Sequence, residues 1–171
     1  MADSSIRRAT VEDAEVLADL GRRTFVDTFG HLYPPEDLED FLDLAYAPDS
    51  FEAFLTRPGH ALWIAEDPGG RAIGYAQAGP CALPHEAVTS GCGELKRLYV
   101  DKPAQGRGVG SALLKTALKW LKAPGRKLWV GVWSQNLGAQ RLYARHGFRK
   151  VGEYHFPVGQ TQDHEFILRR G

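Results

Sequence analysis

The sequence predicts a mixed α/β fold: one β-sheet built round a central pair of parallel strands, with helices on its flanks. Three observations predict it. Helical and strand-like patterns alternate along the chain instead of segregating into separate halves. A strand pattern at Glu94–Val100, a glycine-rich turn and a helical pattern to Leu121 lead into a second strand at Lys127–Trp133. A strand, helix and strand at that spacing form a right-handed crossover, which makes the two strands parallel. The second strand, Lys127-Leu-Trp-Val-Gly-Val-Trp133, is also apolar almost throughout, as expected of a strand covered on both faces.

Length and composition fit one domain spanning residues 1–171. At 171 residues the chain can bury one substantial core but is short for two. Its 43% hydrophobic and 25% charged residues are those of a soluble globular protein. No apolar run approaches a membrane span, and Met1-Ala-Asp-Ser-Ser5 lacks the order of a signal peptide, so no membrane role is expected. Cys81 and Cys92, with no CxxC motif, read as reduced thiols of a cytoplasmic protein. The net charge of zero conceals a split. Residues 1–93 carry 6 Lys+Arg against 16 Asp+Glu, and residues 94–171 carry 15 against 5. This is either two solvated faces of opposite sign, or an acidic side for a cation and a basic side for a polyanion. No basic-aromatic module accompanies the basic half, so nucleic acid is not an expected partner.

The elements follow in order. Ile6–Arg8 is a short strand. Thr10 is placed to cap a helix with Glu12 and Asp13 in its first turn, and Val16, Leu17, Leu20, Phe25 and Phe29 mark its buried face to about Gly30. Pro34-Pro35 interrupts. Glu36–Ala45 is a second helix, and Pro48 opens a short third one through Leu55. Ala61–Ala65 and Ala72–Ala78 are strands joined by the turn Asp67-Pro-Gly-Gly70, which makes a hairpin. Residues 79–93 form a loop without a predicted shape. After the crossover unit, Gly138–Arg145 is a short helix stopped by Gly147. Val151–Phe156 and His164–Leu168 are the last strands, with Gly159–Gln162 as their turn.

The glycines at the start of the crossover helix need a reason. Gly106, Gly108 and Gly110 stand where that helix nucleates, and each glycine in a helix costs on the order of 1 kcal/mol relative to alanine. Unpaired N–H groups and a partial positive charge at a helix N-terminus favour an anion, phosphate above all. Arg107 adds a fixed cation. A Walker loop is excluded because no lysine follows Gly110, and G-x-G-x-x-G is excluded because position 111 is serine. What remains is Gln105-Gly-Arg-Gly108-Val-Gly110, of the form Q-x-x-G-x-G.

This motif resembles the pyrophosphate loop of the GCN5-related N-acetyltransferase (GNAT) family, which binds acetyl-coenzyme A. The resemblance covers essentially the whole chain. Asn136, then Tyr143, then Gly147-Phe148 is similar to the family's second signature, and both signatures follow a parallel strand in the expected order. A narrower resemblance, to the PaiA-type polyamine acetyltransferases of bacteria, rests on Arg23–Gly30, Val130–Asn136 and His155–Asp163.

The resemblance implies a GNAT fold, acetyl-CoA as cosubstrate, no metal, and direct attack of an amine on the thioester. It implies that backbone N–H groups of Gln105, Gly106, Arg107, Gly108, Val109, Gly110 and Ser111 hold the pyrophosphate. Leu98 and Val100 would offer backbone groups to the pantetheine arm, although as side chains they are simply core. Asn136 would bond the pantetheine, although it also suits a helix N-cap. Tyr143 is the candidate acid, since a phenol matches a departing thiolate in basicity; without the resemblance it reads as packing. Glu94 is the candidate base, working through water, or else a strand carboxylate paired with Lys96. For the acceptor, Asp27, Tyr33 and Trp133, with Glu36, Asp37 and Asp40, suggest an acidic and aromatic pocket for a small-molecule amine such as spermidine or spermine. His85 lies in the long loop that could border the acceptor but reads as a surface histidine, and Cys92, with no base beside it in sequence, reads as inert. The alternatives are acetylation of a protein N-terminus or lysine, and a non-catalytic acetyl-CoA-binding module. Members of the family often pair, so a homodimer through the last strands is open.

Overall fold

The computed structural model describes residues 4–171. Strand β1 (Ser5–Arg8) precedes three helices, α1 (Ala14–Phe29), α2 (Pro35–Ala45) and α3 (Pro48–Thr56). Strands β2 (Ala61–Glu66), β3 (Ala72–Pro80) and β4 (Gly93–Val100) follow. Helix α4 (Val109–Leu121) crosses to β5 (Leu128–Trp133), and α5 (Leu137–Arg145) leads to β6 (Arg149–Val158) and β7 (Thr161–Arg170).

Local chemistry explains the boundaries. A short turn at Val11–Asp13 precedes α1, and the Asp13 carboxylate accepts a hydrogen bond from Thr10 N–H at 2.8 Å. Arg7 grips the same carboxylate at 2.8 Å, which ties β1 to the start of α1 and holds the Asp13 carboxyl below its ordinary pKa. Pro35 and Pro48 open α2 and α3, where their missing N–H groups cost nothing. No helix among the described residues is long and apolar enough to cross a membrane.

The seven strands form one sheet in the order β1-β2-β3-β4-β5-β7-β6, and only β4 and β5 run parallel. That parallel pairing is short. Gly93, Glu94 and Leu95 lie beside Leu128, Trp129 and Val130, and there it ends. Gln77 is registered with Arg97 but Ala78 with Leu95, so Lys96 is an extra residue in β4. Such a bulge bends its strand and increases the twist. It turns Lys96–Val100 away from Gly131–Trp133 and opens a gap in the middle of the sheet.

One expectation needs correction. The final hairpin is longer than its pattern suggests, because Pro157 pairs with Gln162 and Val158 with Thr161. The turn is therefore Gly159-Gln160 alone. Gly159 has φ +59, the left-handed conformation that a two-residue hairpin turn requires. Pro157 is tolerated because β6 is an edge strand.

Alternating side chains build a core on each face. On one, Trp63, Leu95 and Val130 of the sheet meet Leu113, Leu114 and Leu121 of α4, with Tyr143 of α5 beside them. On the other, Leu62, Ile64 and Tyr75 meet Leu17 and Leu20 of α1 and Phe51 of α3. The loop 81–92, left without a shape by its sequence, folds onto the second face of β5 and β7. Its Leu83 and Cys92 pack with Trp129 and Ile167.

Candidate active site

The gap between β4 and β5 exposes backbone. Asp101 N–H donates to the Ile73 carbonyl at 2.7 Å, which fixes the phase of the β3–β4 ladder. In an antiparallel pair, alternate residues bond to the neighbour and those between point away. The N–H and C=O groups of Leu98 and Val100 therefore point from β3 into the gap. The Gln105 side-chain amide donates to Val100 C=O at 3.0 Å. Leu98 and the Val100 N–H keep no ladder partner, because β5 pairs with β4 no further than Leu95. The side chains of Leu98 and Val100 pack on the α4 face, while their backbone groups face the gap.

The glycine loop lies where β4 runs out. Gly106 and Gly108 have φ +78 and +82, and no atom lies within 4 Å of where a Cβ would stand on either. The loop is left-handed and open. Gly108 is the N-cap of α4 and provides no side-chain cap, so the N–H groups of Val109, Gly110 and Ser111 lack intrahelical partners. Gly110 differs. Its φ is not positive, and a Cβ there would make ordinary contact with Val100 at 3.5 Å. Two of the three glycines thus have a conformational reason, and the third allows close packing against β4. Arg107 is exposed and makes no ion pair among the described residues.

Asn136 and Tyr143 reach the gap from α5. Asn136 Oδ1 accepts from Ala139 N–H at 3.1 Å, so it caps α5 while also lining the cavity. Tyr143 is 5% exposed and lines the same cavity. Burial raises its phenol pKa well above the ordinary value, and the charge of Glu165 adds to this. Tyr143 therefore keeps its proton at neutral pH.

The cavity, about 250 Å³, passes through the gap to the other face of the sheet. There Tyr33 and Trp133 come together, with the Phe29 ring 5.6 Å from that of Trp133. Glu94 lines the closed end. It is 8% exposed, and its Oε1 accepts from Ala82 N–H at 3.0 Å and pairs with Lys96 at 3.1 Å. Asp27 is exposed on α1 and does not line the cavity, nor do Glu36 and Asp40 on α2. Asp37 accepts from the Thr161 hydroxyl at 3.1 Å and so anchors the β6–β7 turn. His85 packs on Trp129 with ring centroids 5.0 Å apart, away from the cavity.

Besides Glu94, two acids of β7 line the cavity. Asp163 accepts a hydrogen bond from the Tyr33 hydroxyl. Glu165 lies opposite Trp133 of β5 and Tyr154 of β6. It has no hydrogen bond or ion pair from its side chain among the described residues. Burial, with the nearby Asp163 charge, pushes its carboxyl up to about 7. The sequence did carry a signal for this pair. Asp163, Glu165 and Ile167 share one face of a strand, and two acids on a face whose third residue is buried are out of place unless they line a site. Among the described residues, no group of three His, Cys, Asp or Glu side chains could hold a metal ion.

Comparison with known proteins follows the same lines. Residues 22–148 match the model of the "Acetyltransferase (GNAT) family". An uncharacterised N-acetyltransferase of Lactobacillus delbrueckii subsp. lactis is 29% identical over 174 residues, covering 99% of this chain and 98% of the relative. A probable spermine N(1)-acetyltransferase of Bacillus subtilis subsp. natto is 32% identical over 89 residues, 51% of this chain and 59% of that protein. The crystal structure of the PaiA N-acetyltransferase of Thermoplasma acidophilum with coenzyme A superposes with TM-score 0.77 at 21% identity, covering 98% of each chain.

Proposed function

We propose, for a chain that belongs to the acetyltransferase (GNAT) family and is an N-acetyltransferase, that it takes acetyl from acetyl-CoA and gives it to a small cationic amine, a polyamine such as spermidine or spermine. The cosubstrate supplies an acetyl group activated as a thioester. The residues present fit it. The open left-handed turn at Gly106 and Gly108 and the uncapped N-terminus of α4 suit a pyrophosphate, with Arg107 beside them. The backbone of Leu98 and the N–H of Val100, which have no ladder partner, suit an amide-bearing arm lying beside β4 as a strand would, and Asn136 faces that arm from α5. Tyr143, kept protonated by burial, gives its proton to the leaving thiolate. Two carboxylates of the cavity, Glu94 and Glu165, could take the proton of the incoming ammonium group.

One observation carries the choice of acceptor. The far wall of the cavity holds aromatic rings and the carboxylates of Asp163 and Glu165, and among the described residues no lysine or arginine pairs with either. A carboxylate buried without a counter-ion is costly unless something cationic arrives. An ammonium group on an apolar methylene chain meets both needs, with its charge at the acids and its methylenes against Trp133, Phe29 and Phe156. The name of the spermine acetyltransferase relative supports the same class.

The test is the initial rate of thiol release from acetyl-CoA with spermidine, spermine, amino acids, aminoglycosides and a peptide with a free N-terminus. The expected result is saturable turnover with the polyamines, at least about tenfold higher in kcat/KM than with the peptide, which equals about 1.4 kcal/mol of discrimination. Turnover confined to the peptide would move the function to protein acetylation. Binding of acetyl-CoA without turnover on any amine would leave a binding module.

A further inference from the structure

We infer that Glu165 on β7, rather than Glu94 on β4, is the base that takes the proton from the acceptor ammonium group. This rests on the N-acetyltransferase reading above and names a residue for its least determined step.

Geometry separates the two carboxylates. Glu94 stands where β4 and β5 are still paired, opposite Trp129, at the closed end of the gap. Its Oε1 is engaged by Lys96 and by the Ala82 N–H. A carboxylate so engaged has already been given its positive partner. Glu165 stands opposite Trp133, where the strands have parted. It lines the same cavity as Asn136 and Tyr143, and its side chain has no hydrogen bond or ion pair among the described residues. The candidate acid and this carboxylate also sense each other, since the Glu165 charge contributes to the raised Tyr143 pKa. The acid for the thiolate and the base for the amine are thus brought to one place, from opposite faces of the sheet.

The surroundings of Glu165 suit the task. Asp163 lies two residues along β7, and Tyr33, Tyr99, Tyr143 and Tyr154 face it from the neighbouring elements. The two cations of the cavity are held elsewhere, Lys96 on Glu94 and Arg97 over the Tyr46 ring at 4.2 Å. Burial and the Asp163 charge push the Glu165 carboxyl up to about 7. A base near the working pH is the efficient choice.

The step balances without a further reactant. The ammonium group gives one proton to Glu165. The freed nitrogen lone pair attacks the thioester carbonyl carbon, so a C–N bond forms and the C–S bond breaks. The thiolate takes the Tyr143 proton, and the second proton of the new amide nitrogen restores the phenol. The proton on Glu165 leaves to water.

The pH–rate profile tests the assignment. With spermidine, the wild-type protein should show an acidic limb in kcat/KM near pH 7, where Glu165 of the free enzyme must be ionised. Glu165→Gln should lower kcat by about 10²-fold or more and abolish that limb. Glu165→Asp should keep the limb at a reduced rate, and Glu94→Gln should keep it too. A second readout needs no substrate. Because the folded carboxyl is raised above its unfolded value, its contribution to stability is complete below about pH 4 and is lost as pH rises through about 7. The Tm of Glu165→Gln should therefore gain on the wild type across that interval. Retention of the limb and of kcat in Glu165→Gln, or loss of the limb in Glu94→Gln, would overturn the assignment while leaving the acceptor reading intact. Failure of the wild type to turn over any amine would overturn both.

Discussion

Replacing Tyr143 by Phe is expected to lower kcat by about 10²- to 10⁴-fold while leaving the affinity for acetyl-CoA within a fewfold of wild type. The variant isolates one atom. Tyr143 is 5% exposed and packs its ring edge-on against Phe148 at 6.0 Å, so phenylalanine fills the same space without a cavity. What is lost is a hydroxyl that burial holds in its protonated form. A thiolate leaving without that proton must be expelled as an anion into a buried site, where an unpaired charge is costly. Stopped-flow turnover and a binding titration on the same preparation separate the two effects. Unchanged kcat would remove Tyr143 as the acid, and a matched loss of affinity would make it a binding residue instead.

Trp129→Ala is expected to cost about 3–5 kcal/mol of stability, read as a lower urea midpoint. Trp129 is 0% exposed and joins β5, β7 and the loop 81–92. The Arg169 guanidinium lies 5.6 Å over its ring and His85 packs against it. Removing it leaves a cavity under the segment whose Ala82 N–H holds Glu94, so the closed end of the gap should loosen as well. Trp129→Phe should cost far less. The buried indole N–H faces no acceptor stronger than the Cys92 thiol, and losing so weakly satisfied a donor costs little. Equal losses in the two variants would mean that volume is not what Trp129 contributes.

Most of the framework was legible because it rests on periodicity and on glycine and proline chemistry. The apolar run at Leu128–Trp133, the glycines before α4 and the prolines opening α2 and α3 each report a local constraint. Signals of that kind need no knowledge of distant partners. The gap was not legible in the same way. It depends on one extra residue, Lys96, whose presence shows only when Gln77 is registered against Arg97 and Ala78 against Leu95. The acidic wall was misplaced for a related reason. The acids of α1 and α2 are dense in the sequence, yet none of them lines the cavity: Asp37 is taken by Thr161, and Asp27 is exposed. The two acids of β7 are few in sequence and become a wall only because β7 lies between β5 and β6. Tyr33 does line the cavity, but its partner Asp163 stands 130 residues away, beyond the reach of any local pattern.

The most direct test of the account is amide exchange at Leu98 and Val100 with and without coenzyme A. Both N–H groups point into the gap without a strand partner, so they should exchange readily in the free protein. If the gap is where the acyl donor lies, both should become protected on binding, together with the amides of Gly106–Ser111. Protection of the loop alone, with Leu98 and Val100 unchanged, would place the donor outside the gap and contradict the account.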